Sequence, residues 1–394
     1  MRRKTLTEVI LLLFLLSHYS NLNADIPIIA YRGVPLEEST IKRYREFREA
    51  GFDVNLEYYG STEANRIKDI LDIAYQCNVR LIVNDELIET NTKDFIKKIK
   101  GHPALFAYYI MDEPKPKDFH YLRWKYAQIR KYDKTTKCYM NLLPNYGKKS
   151  LKSFNIDAYE EYVKRATAIN LSQISFDFYP ITTNEDIRET WYGNLEIIRN
   201  QSLISKKPFW GFVLSTPHAV YPQPTISMLR LQVYSNLLYG AQGIQYFTYW
   251  TYATDGQHRY HDGPIGVDGK RTNTYYLVKK MNQELKQVKS LFDGAVITNV
   301  GHLTKIPQGT KHFNSLPKNI PMVIVKGGRG ALLSIMKKDG HTYLLIQNKS
   351  YLNPISVRIK AAPEVKEIKK NLSETTIKND YRISPGDILI LKSK

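Results

Sequence analysis

Between Ile26 and Trp250 the chain repeats one theme: a short run rich in β-branched and aromatic residues, a polar loop, then an amphipathic helical stretch. Eight such runs can be read, at 26–33 (IPIIAYRG), 52–58 (FDVNLEY), 80–85 (RLIVND), 105–111 (LFAYYIM), 137–142 (KCYMNL), 174–180 (ISFDFYP), 207–214 (KPFWGFVL) and 243–250 (GIQYFTYW). Strand-like runs alternating with helical periodicity predict parallel βαβ units, and eight of them predict a closed (β/α)₈ TIM barrel of the α/β class. The intervening segments agree. In 36–50, Ile41, Tyr44 and Phe47 recur every three residues, Ser39 or Thr40 can cap the start, and Gly51 stands where a left-handed stop belongs. In 62–77, Thr62 can cap while Ile67, Ile70, Leu71 and Ala74 form an inward stripe that Asn78 ends. A doubly wound open sheet is the competing architecture, but no glycine-rich phosphate loop follows the first run.

After a polar loop at 251–273 and a helix at about 274–291, the character changes. Alternating runs at Ala331–Met336, His341–Gln347, Ile355–Ile359 and Asp387–Lys392, separated by Gly, Asn, Asp and Pro, predict a small antiparallel β-domain of sandwich type over 293–394, with the barrel occupying 25–292. At the other end, Met1-Arg2-Arg3-Lys4, the apolar run Val9–Leu16 and small or polar residues up to Ala24 read as a secretory signal over 1–24. That run is shorter than the ~20 residues a spanning helix needs, so export to the periplasm or the medium is expected, without stable membrane insertion.

The formal net charge is +19, and removal of 1–24 would leave about +17. Such a balance favours anionic partners, but the Lys and Arg residues are spread along the chain and no zinc-finger, helix-turn-helix or RNA-recognition signature accompanies them. Nucleic acid is therefore not expected as a partner, which leaves an acidic polysaccharide or an anionic envelope surface among the anionic partners the charge favours. Cys77 and Cys138 both fall in apolar settings and read as buried thiols. No Cys/His spacing suggests a metal, and no cofactor is implied. Tyrosine is abundant, at 29 residues, and its flat face with a hydroxyl suits sugar binding as well as ordinary cores.

In a barrel of this kind the active site lies at the C-terminal ends of the strands, so the polar residues closing each run are the candidates. They are Tyr31-Arg32, Glu57, Asn84-Asp85-Glu86, Asp112-Glu113, Asn141, Asp177 with Tyr179, Ser215 with His218, and Tyr249-Trp250. The fourth run, ending abruptly in Asp112-Glu113-Pro114, is the most informative. Like charges this close raise one another's proton affinity, which a general acid working near neutral pH requires. Arg32, Glu57, Asn141, Tyr179, Tyr249 and Trp250 are the candidate substrate contacts, whereas Trp210 lies mid-strand and reads as core.

The run HPALFAYYIMDEP, the later FDFYP, the PFWGFV strand and LRLQVYSNLLYGAQGIQYFTYW resemble bacterial glycoside hydrolase-like barrels related to the retaining clan that includes family 42 β-galactosidases. The resemblance covers roughly 26–290 and the closing YRISPGDILIL. It implies that the glutamate closing the fourth strand, here Glu113, is the acid/base; the residue before it is usually Asn and here is Asp112. The clan places its nucleophile at the end of the seventh strand, yet 207–217 (KPFWGFVLSTP) holds no acid. Three readings remain open. Asp177, or after it Glu57, serves as second carboxylate; Asp112 and Glu113 act as a pair, as in substrate-assisted hexosaminidases, with Tyr179 steadying an acetamido group; or the hydrolytic machinery is incomplete and the protein only binds glycan.

Overall fold

The computed structural model describes residues 26–147, 158–184, 186–254 and 258–393. The expected signal segment 1–24 lies outside them. Strands β1 (Ile28–Tyr31), β2 (Val54–Tyr58), β3 (Arg80–Asn84), β4 (Leu105–Asp112), β5 (Lys137–Leu142), β6 (Ile174–Phe176), β7 (Phe209–Leu214) and β8 (Ile244–Phe247) close into one parallel barrel in sequential order. Closure runs through Ile28–Tyr31 paired with Ile244–Phe247. Around it stand α1 (Ile41–Glu49), α2 (Ala64–Gln76), α3 (Thr92–Ile99), α4 (Phe119–Tyr132), α5 (Tyr159–Thr167), α6 (Trp191–Ser205), α7 (Ile226–Tyr239) and α8 (Asn273–Phe292).

Side-chain alternation along the strands divides the core in two. Ile29, Val54, Leu56, Ile82, Phe106, Tyr109, Tyr139 and Trp210 fill the barrel, while Ile28, Ala30, Leu81, Val83, Tyr108 and Ile110 face the helices. Trp210 stacks between Phe106 and Tyr139, at 5.8 and 6.1 Å between ring centres, so it is core. Helix α1 begins at Thr40, whose hydroxyl accepts from the Arg43 N–H at 3.3 Å, and ends before Gly51 at φ +96°. Thr62 does not cap α2. Its hydroxyl donates to the Tyr59 carbonyl and its N–H goes to Asp85 at 3.1 Å, because the β2–α2 loop turns back on itself before the helix starts at Ala64. The sixth and eighth runs are shorter as strands than the sequence suggests, ending at Phe176 and Phe247.

The C-terminal domain is two antiparallel sheets, β10 (Met322–Lys326), β13 (Ile355–Lys360) and β16 (Asp380–Ile383) in one, and β15 (Glu374–Thr376), β14 (Lys366–Ile368), β17 (Ile388–Ser393), β12 (His341–Asn348), β11 (Ala331–Lys338) and β9 (Val296–Leu303) in the other. The larger sheet is buried on both faces. Leu333, Leu344, Ile346 and Leu391 meet the small sheet, while Leu332, Met336 and Leu345 join the barrel's own core. This second face covers α7, which explains why that helix is apolar nearly all round. Ser235 donates to Gln347 at 2.8 Å, and Ser334 donates to the Leu238 carbonyl at 2.7 Å across the seam. Cys77 and Cys138 are buried and unpaired. Among the described residues no helix is long and apolar enough to cross a membrane.

Candidate active site

Two local irregularities bring Asp112 and Glu113 to the barrel mouth. Regular alternation would send adjacent residues to opposite faces. A register shift in β4 between Tyr109 and Met111 instead leaves Ile110 and Met111 both on the helix side and turns Asp112 inward. There Asp112 accepts from the Tyr31 hydroxyl at 2.9 Å and from the Asn141 amide at 3.2 Å. Glu113 then takes a left-handed φ of +42°, its N–H pinned to the Asn141 carbonyl at 2.9 Å, and its side chain stays beside the mouth. A bulky residue held in that region is a strained one, and such strain gathers at functional sites.

From β6, Asp177 completes a trio. The same Asn141 nitrogen that reaches Asp112 donates to Asp177 at 3.0 Å, so the two carboxylates lie no farther apart than those two contacts allow. The amide's orientation is set from below. Gln245 donates to Ser175 at 2.8 Å, and Ser175 donates to the Asn141 carbonyl oxygen at 2.9 Å, leaving the Asn141 NH₂ to face the acids.

Burial dominates the electrostatics of all three acids. As whole residues, Asp112 and Glu113 are exposed at the mouth, whereas Asp177 is buried. Burial, with the Asp112 charge adding, lifts Glu113 to about 7, while contact with the Asp177 carboxyl works the other way. Asp177 is pushed well above the carboxylate range by burial and then by the Glu113 and Asp112 charges. Burial raises Asp112 too, but the Tyr31 and Asn141 donors favour its charged form. All three carboxyls are thus pushed toward holding protons, Asp177 and Glu113 by burial and then by neighbouring carboxylate charge, while the Tyr31 and Asn141 donors oppose the shift at Asp112.

The rest of the mouth is aromatic. Tyr179, Phe212 and Leu214 pack with Tyr31, Tyr221 and Phe247. The seventh strand ends in Leu214, and the Ser215 and Thr216 hydroxyls beyond it turn to Thr248 at 2.8 Å each. His218 closes that side against Tyr221, Phe247 and Tyr260.

Three expected contacts lie elsewhere. Glu57 is buried beneath Arg32, its partner at 2.8 Å, and burial lifts it to about 7 despite that cation; it does not join the trio. Tyr249 and Trp250 were expected at the mouth on the assumption that β8 runs to Trp250. The strand stops at Phe247, so Tyr249 turns outward between Phe47 and Phe52, at 4.9 and 5.4 Å, and Trp250 lies under Arg43 at 5.1 Å. Phe247 takes their place, with Tyr252 behind it under the Arg32 guanidinium at 4.8 Å. Neither was singled out from sequence, although Phe247 shares Gln245's inward parity. Asp85 caps the loop that follows β3, accepting from the Thr62 and Leu87 N–H groups. Among the described residues no group of acids, His or Cys could hold a metal ion.

Comparison with known proteins agrees with this architecture. Residues 95–288 match the glycoside hydrolase family 42 model, described as beta-galactosidase. No curated protein matches the chain. Among solved structures, a beta-galactosidase from Bacillus circulans sp. alkalophilus superposes with a TM-score of 0.60 at 10% identity, covering 94% of this chain and 100% of that one. A family 42 beta-galactosidase from G. stearothermophilus gives 0.62 at 9% identity, covering 94% and 98%. The beta-galactosidase from the psychrophilic Marinomonas ef1 gives 0.51 at 10% identity over 68% of this chain, which spans only 60% of that protein's length. At these identities the likeness is one of fold. What is shared is a (β/α)₈ barrel followed by a β-domain, with residues 95–288 similar to the family 42 model.

Proposed function

We propose that the protein is an exported glycoside hydrolase that cleaves O-glycosidic bonds, with Glu113 as the proton donor. The observation that carries this reading is the Asp112–Glu113–Asp177 trio gathered around one Asn141 amide at the barrel mouth, with Glu113 lifted to about 7. Glu113 and Asp177 act on one another's titration. We read Asp177 as the partner that shares Glu113's proton, and Asp112, held by Tyr31 and Asn141, as the carboxyl left to face the sugar.

In this scheme Glu113 passes its proton to the glycosidic oxygen as the C–O bond breaks, and Asp112 stabilises the positive charge that develops at the anomeric carbon. Water then adds to that carbon and returns a proton to Glu113. With no acid on β7, an N-acetylated sugar offers a further route: its own acetamido oxygen attacks the carbon while Asp112 orients it and Tyr179 lines the pocket.

The test is hydrolysis of neutral, acidic and N-acetylated oligosaccharides by the purified protein beside Glu113→Gln. Cleavage that falls by about 10²–10⁴ in the variant supports the scheme. Binding without cleavage, equal in both proteins, replaces it with a glycan-binding protein on a degenerate barrel.

A further inference from the structure

A second cavity, of about 270 Å³, opens at the seam between barrel and β-domain, lined in part by Arg188, Lys305, Arg329 and Lys349. Among the described residues, two acids stand near Lys305, Arg329 and Lys349. Asp186 pairs with Arg329 at 2.7 Å, and Glu189 sits on the exposed rim. The chain thus leaves an excess of positive charge facing one concavity.

Lys349 makes this more than a basic surface. Its residue is only 2% exposed, and its ammonium donates to the Lys305 carbonyl. Among the described residues it has no carboxylate within ion-pair distance. A buried cation facing other cations is costly unless something negative compensates it. Burial, with Arg329 and Lys305 adding, pushes Lys349 down to about 7. A well-packed domain would place a methionine or leucine there at less cost if no anion ever entered.

The cavity also connects to the mouth. The Arg188 guanidinium lies 4.6 Å from the centre of the Tyr146 ring and 6.0 Å from that of Tyr221. Tyr221 in turn packs on Tyr179 at 5.6 Å, and the Tyr146 hydroxyl feels the Asp177 charge. Aromatic rings thus link Arg188, on the cavity wall, to the side of the mouth where Tyr179 and Asp177 stand.

We propose that this cavity is a subsite for an anionic sugar unit, its carboxylate or sulfate held by Lys349, Lys305 and Arg329, in the same glycan whose bond lies at Glu113. The anion subsite rests on the cavity alone, and its sharing one glycan with Glu113 rests on the glycosidase reading. Both anions share the chemistry of a compact oxyanion meeting several N–H donors.

The experiment is calorimetric titration of the full chain with a hyaluronan tetrasaccharide (carboxylate), neocarratetraose sulfate (sulfate ester) and chitotetraose (neutral). Each is repeated with Lys349→Met, Lys305→Gln, Arg329→Gln and Glu113→Gln. The expected result is that at least one charged probe binds about tenfold or more tighter than chitotetraose, and that this preference falls by about tenfold in the cation variants. The probe that binds tells carboxylate from sulfate. Lys305→Gln and Arg329→Gln alter partly exposed side chains, so they keep the test alive should Lys349→Met fail to fold. Equal affinity for charged and neutral probes, or a preference that survives all three cation variants, overturns the proposal. A preference that persists in Glu113→Gln while no probe is cleaved by the parent protein leaves the subsite standing and removes the hydrolytic mechanism.

Discussion

The Tyr31 hydroxyl donates to the Asp112 carboxylate at 2.9 Å, tying the end of β1 to the end of β4 across the barrel mouth. Tyr31 is thereby a positioning residue for the carboxyl assigned to face the sugar. Tyr31→Phe removes one donor to the charged form, so the Asp112 pKa rises and the acid limb of the pH–rate profile moves to higher pH. A charge-assisted hydrogen bond is worth about 1.5–3 kcal/mol, so kcat at the optimum should fall roughly tenfold or more with the melting temperature little changed. An unshifted acid limb would detach Tyr31 from the chemistry.

Glu113 depends on its neighbour in the opposite sense. Burial and the Asp112 charge raise it to about 7, and a donor with that pKa loses its proton as pH climbs past 7, taking activity with it. Asp112→Asn deletes the repulsion, so the Glu113 carboxyl should titrate at lower pH. Following the glutamate carboxyl by ¹³C NMR separates this from any direct loss of rate. A titration unmoved by the substitution would mean that burial alone sets the value.

Asp177 offers a stability readout. Its folded pKa is raised, so the native state binds more protons than the unfolded chain above the unfolded value near 4. The stability tied to that proton is present at low pH and is lost as pH rises through the folded pKa. Asp177→Asn cannot ionise, so it should gain melting temperature relative to the parent protein at pH 8 and gain less, or nothing, at pH 5. Equal differences at the two values would show that the carboxyl does not titrate as its burial requires.

Much of this arrangement is legible in the residues themselves. Eight β-rich runs specify the barrel, and once strand ends are taken as the mouth, Asp112, Glu113, Asn141, Asp177 and Tyr179 follow from position alone. What stayed hidden depends on single-residue geometry. The register shift in β4 and the left-handed turn at Glu113 decide that two adjacent acids share one face, and no propensity announces either. The eighth run continues to look like a strand up to Trp250, because Tyr249 and Trp250 are aromatic for a different reason: they pack against Phe47, Phe52 and Arg43 behind the barrel. The seam cations are spread from residue 188 to 349, so only the folded chain assembles them.

That distinction between aromatics is itself testable. Phe247 packs with Tyr179 at 5.5 Å in the mouth, whereas Tyr249 lies in the helix-facing core. Phe247→Ala should raise KM several-fold with a modest effect on stability, since part of a sugar-stacking surface is lost. Tyr249→Leu should leave KM near the parent value and instead lower the melting temperature, because a ring wedged between Phe47 and Phe52 is replaced by a smaller side chain. The opposite pairing of effects would return Tyr249 to the substrate side.

The β-domain's hold on the barrel runs through Gln347, which is fully buried on β12. Its carbonyl oxygen accepts from Ser235 at 2.8 Å, and its NH₂ donates to the Leu231 carbonyl at 3.0 Å and to that of Gly386 at 3.2 Å. Gln347→Ala removes the acceptor of the buried Ser235 hydroxyl and the donor to the Gly386 carbonyl, at a cost of about 1–3 kcal/mol. The loss should appear in urea unfolding as a lower midpoint, with the change concentrated in the step that exposes α7. Lys326→Ala, on the exposed edge of the small sheet, should stay within about 0.5 kcal/mol. If the two variants destabilise equally, the seam is held by apolar contact between β11, β12 and α7, and the Gln347 hydrogen bonds contribute nothing beyond their own desolvation.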